Sequence, residues 1–394
     1  MTHTKPRIPR AIWALGFVSL FMDVSSELIH SLLPIFMVSV LGASALALGF
    51  LEGAAEATAS IVKMFSGALS DWLGKRKILA VAGYGISALT KPLFALAPGV
   101  GWVFTARIAD RIGKGVRDAP RDALVAAIAP ADSRGAAYGL RQALDTVGAF
   151  LGPGLAILLM ALFAGNIRAV YWFAVVPAIV AVALLIAGVE EPDAPDEKRR
   201  RSPVSRAELA KLGGAYWLVV LVGGILTLAR FSEAFLVLRA QSIGLSAMWV
   251  PATMVVMSVF YAAAAYPAGL LSDRIDRRTV LAAGVGLLVA ADIVLALAGN
   301  VWWVMAGVAL WGLHMGFSQG LLSTLVADTA PQELRGTAFG AFNFVAGIVL
   351  LLANALAGWL WTLGGPAFTF AAGAAFSFLA LLGLLAIRAP RSCA

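Results

Sequence analysis

The sequence predicts an all-α integral membrane protein, with twelve transmembrane helices in two six-helix halves that share one orientation. Three observations predict it. Hydrophobic residues are 60% of 394 and charged residues 13%, where a soluble chain has about a quarter charged. Apolar runs of eighteen residues or more recur from end to end, the length that crosses a hydrocarbon core of about 30 Å. Two stretches also recur at nearly one spacing. A backbone in lipid must satisfy its own hydrogen bonds, so the spans are helices or a closed barrel. Runs such as Val280–Leu297 and Val345–Leu360 are too long and too uniformly apolar for barrel strands of about ten alternating residues.

In chain order the spans are expected at 12–40, 45–69, 78–97, 102–126, 136–162, 169–189, 214–239, 247–271, 279–298, 301–326, 337–361 and 367–388. The first is read as a helix rather than a cleaved signal peptide. It is too long, it carries Asp23, Glu27 and His30, and no small-residue cleavage site follows it. The longest connection, 190–212, contains Glu-Lys-Arg-Arg-Arg-Ser-Pro. It divides the chain into an N-terminal half, 1–189, and a C-terminal half, 213–394.

Charge orients the spans. If they alternate, Lys5, Arg7, Arg10, Lys75, Arg76, Lys77, Arg134, Lys198 to Arg201, Arg274, Arg277, Arg278, Arg335, Arg388 and Arg391 all fall on one side. The opposite loops are nearly free of Lys and Arg, with Arg168 and Arg239 as exceptions at helix ends. That bias puts both termini in the cytoplasm of a multi-pass protein of the inner or plasma membrane. It also accounts for the net charge of +8 without nucleic acid. The single cysteine, Cys393, excludes an internal disulfide and a cysteine metal cluster.

The repeat is explicit. Gly67-Ala-Leu-Ser-Asp71-Trp-Leu-Gly-Lys75-Arg76 aligns with Gly269-Leu-Leu-Ser-Asp273-Arg274-Ile-Asp-Arg277-Arg278, 202 residues later. Ala129-Pro-Ala-Asp-Ser-Arg134-Gly aligns with Ala330-Pro-Gln-Glu-Leu-Arg335-Gly, 201 residues later. Two matches at almost one offset mean related halves in the same orientation, as in transporters built around a central site. The two Gly-x-x-x-Asp loops resemble the signature loop of the major facilitator superfamily. Twelve spans, a basic central loop and paired halves extend that resemblance over essentially the whole chain. Gly139, Gly148 and Gly152-Pro153 in the fifth span look like the superfamily's antiporter motif, although Ala156-Ile157 replace its closing glycine pair and the eleventh span lacks it. Arg111-x-x-Lys114-Gly115 is similar to a motif of drug–proton antiporters, with Lys for Gln. The resemblance implies the major facilitator fold and an efflux antiporter.

On their own terms, Gly67 and Gly269 allow close helix approach. Asp71 and Asp273 can pair with neighbouring bases or cap the next helix, giving either a latch on the cytoplasmic side or a static turn. Gly148 and Gly152-Pro153 fit a leak-tight contact with a helix of the other half, or plain packing.

Eight of the sixteen residues from Arg107 to Asp122 are ionisable. Spacings of 3 and 4 put Arg107, Arg111, Lys114, Asp118 and Arg121 on one helical stripe, expected to face a water-filled path. A charge at mid-bilayer costs about 3 kcal/mol or more, so such residues face a cavity or a partner. The first half holds the acids Asp23, Glu27, Glu52, Glu56, Asp110, Asp118, Asp122 and Asp145. Its bases are Lys63, Lys91, Arg107, Arg111, Lys114, Arg117, Arg121 and Arg141. Eight balance eight, so the stripe is not simply a lure for anions. The second half holds only Arg230, Glu233, Arg239 and Asp292 in its spans.

In the first span Asp23, Ser26, Glu27, His30 and Pro34 share a face, and Glu52 and Glu56 form an i, i+4 pair on the second. Three readings stay open. Carboxylates titrate and couple protons to cargo; Glu27 and His30 with Glu52 hold a divalent metal ion as cargo; or the ions form a static network that fixes packing. Asp23, Glu27, Arg111, Lys114 and Asp145 are the leading coupling residues, with Arg111 expected to pair reversibly with Asp23, Glu27 or Asp145. Arg230 and Glu233 are a polar pair that could meet the first span. His314 reads as a packed polar residue.

No nucleophile–base pair, cofactor motif or phosphate loop appears, since Gly113-Lys114-Gly115 lacks the required frame and a preceding strand. An enzyme and a nucleotide-driven pump are therefore not expected, and no cofactor is. The expected function is a proton-coupled secondary transporter, acting as a monomer in the bilayer and exporting a small organic compound. A divalent-metal or anion carrier of the same fold is the alternative. A transporter-like sensor would need a longer tail or loop to bind partners.

Overall fold

The computed structural model describes residues 8–130, 133–191, 209, 211–318, 325–326, 329–331 and 334–386, without the side chains of 68, 71, 273, 335, 336 and 386. The described residues form helices and turns, with no strand among them. In chain order the helices are α1 (Arg10–Val40), α2 (Ala45–Leu73), α3 (Arg76–Leu96), α4 (Val100–Ile128), α5 (Arg134–Leu162) and α6 (Ile167–Gly188). They continue with α7 (Gly214–Ser242), α8 (Ala252–Arg274), α9 (Arg277–Leu297) and α10 (Val301–Ser318). One helical stretch, Arg335–Ala386, holds the last two spans, α11 (335–363) and α12 (366–386). They part at Gly364 and Gly365, where φ reaches +73°, a conformation that glycine adopts at little cost. Among the described residues, length and apolarity alone pick out ten stretches. The α11–α12 pair counts there as one, and the charges of α4 keep it out, which makes twelve.

Two spans depart from simple helices. After Pro34, α1 closes in a π turn at Phe36–Val40, where Leu41 N donates to Phe36 O at 3.0 Å. The seventh span is interrupted: helix stops at Ala229 and resumes at Ala234. Its apolar sequence gave no warning of this. Leu89, Leu297 and Trp302 are 75%, 80% and 82% exposed, a wasteful arrangement in water and the expected one against lipid.

The chain forms two compact units. One comprises Met1–Ala43, Ala54–Arg201 and Ala247–Ala252; the other comprises Ser44–Gly53, Ser202–Ser246 and Thr253–Ala394. Helix α2 contributes to both, and its first turns belong to the second unit because glycines press there on α11. A Cβ on Gly53 would lie 2.9 Å from Leu351 Cα, and one on Gly358 would lie 2.5 Å from the Ala45 carbonyl oxygen. In the first unit α1 packs on α5 and α6, and α3 on α4 and α6, around Ile12, Leu15, Met22, Tyr84, Leu124 and Leu185. In the second, α9 packs on α10 and on the α11–α12 stretch, which α7 also contacts. Tyr216 donates to Ala338 O at 2.8 Å on that contact.

Basic residues close helix ends in both units. Lys77 Nζ donates to Ile186 O at the end of α6 (2.9 Å), and Arg278 donates to Leu384 O (2.6 Å) and Leu385 O at the end of α12. The two exceptions to the charge bias do the same work. Arg168 donates to Ala95 O at the end of α3, and Arg239 donates to Leu295 O and Ala298 O at the end of α9. Terminal carbonyls carry the negative end of the helix dipole, so these arginines are spent on capping.

Candidate functional site

Helix α4 is wedged between α3 and α2 by glycines on opposite faces. A Cβ on Gly113 would sit 2.7 Å from the Gly83 carbonyl oxygen, and one on Gly115 would sit 2.6 Å from Val62 Cβ. Ser66 donates to Gly115 O at 2.7 Å across the second contact. This close approach sorts the charges of α4 into two sets.

The first set faces α3. Lys91 Nζ lies 3.0 Å from Asp110 Oδ1 and donates to Ser26 Oγ at 3.1 Å, tying α3, α4 and α1 together. Arg117 donates to Ser87 Oγ and stacks 4.8 Å from the Tyr84 ring centroid. These groups are almost fully buried. Their contacts are those of a helix clamp.

The second set faces α1, α2 and α5. Arg107 hydrogen-bonds His30 Nε2, and Arg111 Nη2 lies 3.1 Å from the same nitrogen. Arg111 Nη1 pairs with Glu56 Oε1 at 3.0 Å, and Glu27 lies 3.6 Å from His30 Nδ1. Lys114 lies within electrostatic reach of Asp23, Glu56 and Asp118. Towards the other end of α4, Arg121 meets Asp122 at 3.3 Å, Asp118 at 3.8 Å and Ser19 Oγ at 3.4 Å. Arg141 donates to Asp145 Oδ2 at 2.8 Å and approaches Asp122 at 3.9 Å.

Several expectations change here. Arg111 pairs with Glu56 on α2, and Asp145 accepts from Arg141 one turn before it. The predicted stripe does not simply face water: Arg107, Arg111 and Arg121 are buried, at 2%, 3% and 9% exposure, while Lys114 and Asp118 are half-buried. Glu52 and Glu56, four residues apart, have separate partners. Glu52 Oε2 accepts from Ser232 Oγ at 3.3 Å. The speculative metal set of Glu27, His30 and Glu52 is not assembled, since no group of three such ligands occurs among the described residues, and two guanidiniums crowd the His30 ring.

Helices α1 and α5 meet at the fifth-span glycines. A Cβ on Gly148 would lie 2.9 Å from Asp23 Cβ, and one on Gly152 would lie 2.5 Å from Glu27 Cβ. Both acids of α1 are therefore pressed against α5, and Asp145, one turn before Gly148, lies within Coulomb range of Asp23. Asp145 Oδ1 is buried without a hydrogen-bond partner.

In the second unit the interrupted α7 makes a smaller polar node. Ser232 N donates to Asn354 Oδ1 at 2.6 Å, beside the Ser232–Glu52 bond. Arg230 and Glu233 lie at the two edges of the break. Asp292 is fully buried on α9, 3.5 Å from Ser377 Oγ. His314 is packed as expected, bonding Gly284 O at 2.7 Å. Asn354 and Ser232 were missed in the sequence, where a lone amide and a lone hydroxyl in apolar runs carry no pattern.

A family model described as Major Facilitator Superfamily matches residues 15–259 and 234–393. The chain belongs to the major facilitator superfamily. It is 31% identical over 389 residues to an MFS-type transporter of Methanocaldococcus jannaschii, covering 96% of this chain and 95% of the relative. It is 24% identical over 372 residues to the inner membrane transport protein YajR of Escherichia coli, covering 89% and 77%. In fold it is similar to the nucleoside transporter NupG, with TM-score 0.80 at 12% identity, covering 96% of this chain and 100% of that one. A peptide transporter, POT, gives TM-score 0.79 at 16% identity, covering 96% and 93%.

The superfamily motifs can now be read residue by residue. The fifth-span glycines Gly148 and Gly152 meet α1 of their own unit, where a contact with the other half was one expectation; Gly139 has open space beside it. An added Cβ on Gly67 would lie 3.5 Å from Ala119 Cβ, ordinary van der Waals contact, and one on Gly269 would meet nothing within 4 Å among the described residues. The side chains of Asp71 and Asp273 lie outside the described residues. At the start of α3, Glu191 accepts from Arg76 N at 2.7 Å and Lys77 N at 2.8 Å. Lys75, Arg274 and Arg277 are exposed.

Proposed function

We propose that this superfamily member is a proton-coupled secondary active transporter that exports a small organic compound by alternating access. The observation that carries the coupling is the contact of α1 with α5 at Gly148, which holds Asp23 against α5 within Coulomb range of Asp145. Two carboxylates within Coulomb range of each other in a membrane protein are stable together when a proton or another cation neutralises one of them. Arg141 engages only Oδ2 of Asp145, leaving Oδ1 as the acceptor. Any shift of α1 against α5 changes the spacing of the two acids, which links proton occupancy to helix position. Glu27, at the neighbouring Gly152 contact, moves with them.

Export is the direction favoured by the resemblance of Gly139, Gly148, Gly152 and Pro153 to the antiporter motif. The charge bias of the loops supports an inner or plasma membrane location with both termini cytoplasmic. A single chain is taken as the transporting unit. The test uses everted membrane vesicles carrying the protein, a panel of labelled organic compounds and an imposed pH gradient. Gradient-dependent accumulation that stops when a protonophore collapses the gradient is the expected result. Accumulation that persists unchanged contradicts proton coupling.

A further inference from the structure

Asp292 stands apart from every other buried ion of the chain. It is 0% exposed, near the end of α9, where that helix meets α12 beside the break in α7. Oδ2 lies 3.5 Å from Ser377 Oγ, and Oδ1 is sealed without a hydrogen-bond partner. Helix α12 is notched to receive this carboxyl. A Cβ on Gly373, one turn before Ser377, would lie 2.7 Å from Asp292 Oδ2 and 3.1 Å from Phe231 Cε1. Phe231 itself packs on Phe235, Trp311 and Phe370, so the acid is walled by aromatic rings.

The charges around this pocket are committed elsewhere. Arg239 of α7 spends Nε and Nη2 on Leu295 O and Ala298 O, and Nη1 on Ser242 Oγ. Arg278, in the first turn of α9, caps α12. Arg230 lies within electrostatic reach of Glu233 and Tyr261, and His314 of α10 bonds Gly284 O, two turns before Asp292. Residues 337–386 of α11 and α12 carry no titratable side chain. Among the described residues Asp292 has no ion pair. The repeat shows what is missing: at the 201-residue offset Lys91 becomes Asp292, while its partner Asp110 becomes Trp311. The first half neutralises its buried charge with a second ion; the second half has kept an acid and put an indole where the partner would stand. A carboxylate buried in a membrane helix without a cation is too costly to persist.

We infer that Asp292 is a proton-binding site separate from Asp23 and Asp145, in which a resident proton makes it a neutral carboxylic acid that joins α9 to Ser377 of α12. The proton sits on Oδ2, the oxygen with a polar neighbour, and Oδ1 is the carbonyl oxygen. An unsatisfied carbonyl is tolerated better than an orphaned donor. With no path to solvent, this proton is retained while those of the coupling acids exchange. Its removal strands a charge against Phe231 and Gly373 and loosens α12 from α9 beside the α7 break. The protonated acid therefore holds the fold at neutral pH, and that hold is lost as pH rises and Asp292 ionises.

Infrared spectroscopy of the purified full chain tests this, read in the carbonyl stretch of protonated carboxylic acids above the amide I band. At neutral pH, where an exposed aspartate of ordinary pKa about 4 is ionised, wild-type protein should show a band that Asp292→Asn removes. Ser377→Ala should shift that band to higher frequency by deleting the acceptor, an effect that a loss of packing alone does not produce. Asp292→Asn, which mimics the neutral acid, should unfold at the wild-type temperature at neutral pH, and at a higher one than wild type at the alkaline pH where the band disappears. In the Asp23→Asn with Asp145→Asn variant the band should remain. Failure of proton coupling in vesicles thus leaves this site standing, and loss of this site leaves the coupling standing. The inference is overturned if Asp292→Asn removes no band at neutral pH, if Ser377→Ala leaves the band where it was, or if Asp292→Asn gives no alkaline advantage. It is also overturned if sodium chloride, against choline chloride, erases the band saturably, since the ligand is then a metal ion.

Discussion

The buried ions of the first unit divide by what surrounds each side chain. Lys91 and Asp110 are 1% and 3% exposed and bonded to each other. Removing one partner of such a pair strands the other charge, at about 3–5 kcal/mol, while removing both together costs far less. Lys91→Met is therefore expected to lower the unfolding temperature of the detergent-solubilised protein sharply, and Lys91→Met with Asp110→Asn to recover more than half of the loss. Equal losses in the single and double variants would show that the two do not act as a pair. The sequence displayed all of these ions but not their partners. Asp110 and Arg117 counted among the candidate transport ions but not on the stripe; their position on the α3 side follows from Gly83 and Gly113, whose contact no charge pattern encodes. Arg111 pairs with Glu56, which lies on another helix, beyond the reach of periodicity within one.

Helices here are placed by glycines. A Cβ on Gly113 would meet the Gly83 carbonyl oxygen at 2.7 Å and Ser87 N at 2.9 Å, and backbone atoms cannot step aside. Gly113→Ala should destabilise by about 1–3 kcal/mol, the usual cost of overpacking, whereas Gly139→Ala, facing open space, should be silent in the same unfolding assay. At α1–α5, Gly148→Ala is expected to push Asp23 away and reduce transport more than it reduces stability. Comparing transport rate with unfolding temperature separates those effects. Glu191 is a smaller case. Its carboxylate caps the first turn of α3, and Glu191→Ala should cost about 0.5–1 kcal/mol at an exposed site. The spans were legible because their apolar runs exceed the bilayer thickness. The interruption of α7 at 230–233 was not, since Ser232 and Asn354 supply the bonds of the broken backbone from residues 122 apart.

At the scale of the whole molecule, one fold has been built twice and charged once. Offsets of 201 and 202 residues relate the halves. Gly83 corresponds to Gly284 and Gly115 to Gly316, and all four would clash with an added Cβ. Charge does not follow: Lys91 corresponds to Asp292, Arg107 to Val308 and Arg111 to Gly312. The repeat was readable because its loop motifs survive; the asymmetry was readable as a count of ions, and only the contacts show which of them meet. The proposed function assigns proton coupling to Asp23 and Asp145. The most direct measurement of that claim records external pH in lightly buffered proteoliposomes while the cargo exchanges. With wild-type protein, protons should move opposite to the cargo. Asp23→Asn with Asp145→Asn should keep cargo exchange and abolish the proton signal. An undiminished proton signal in that double variant would contradict the account.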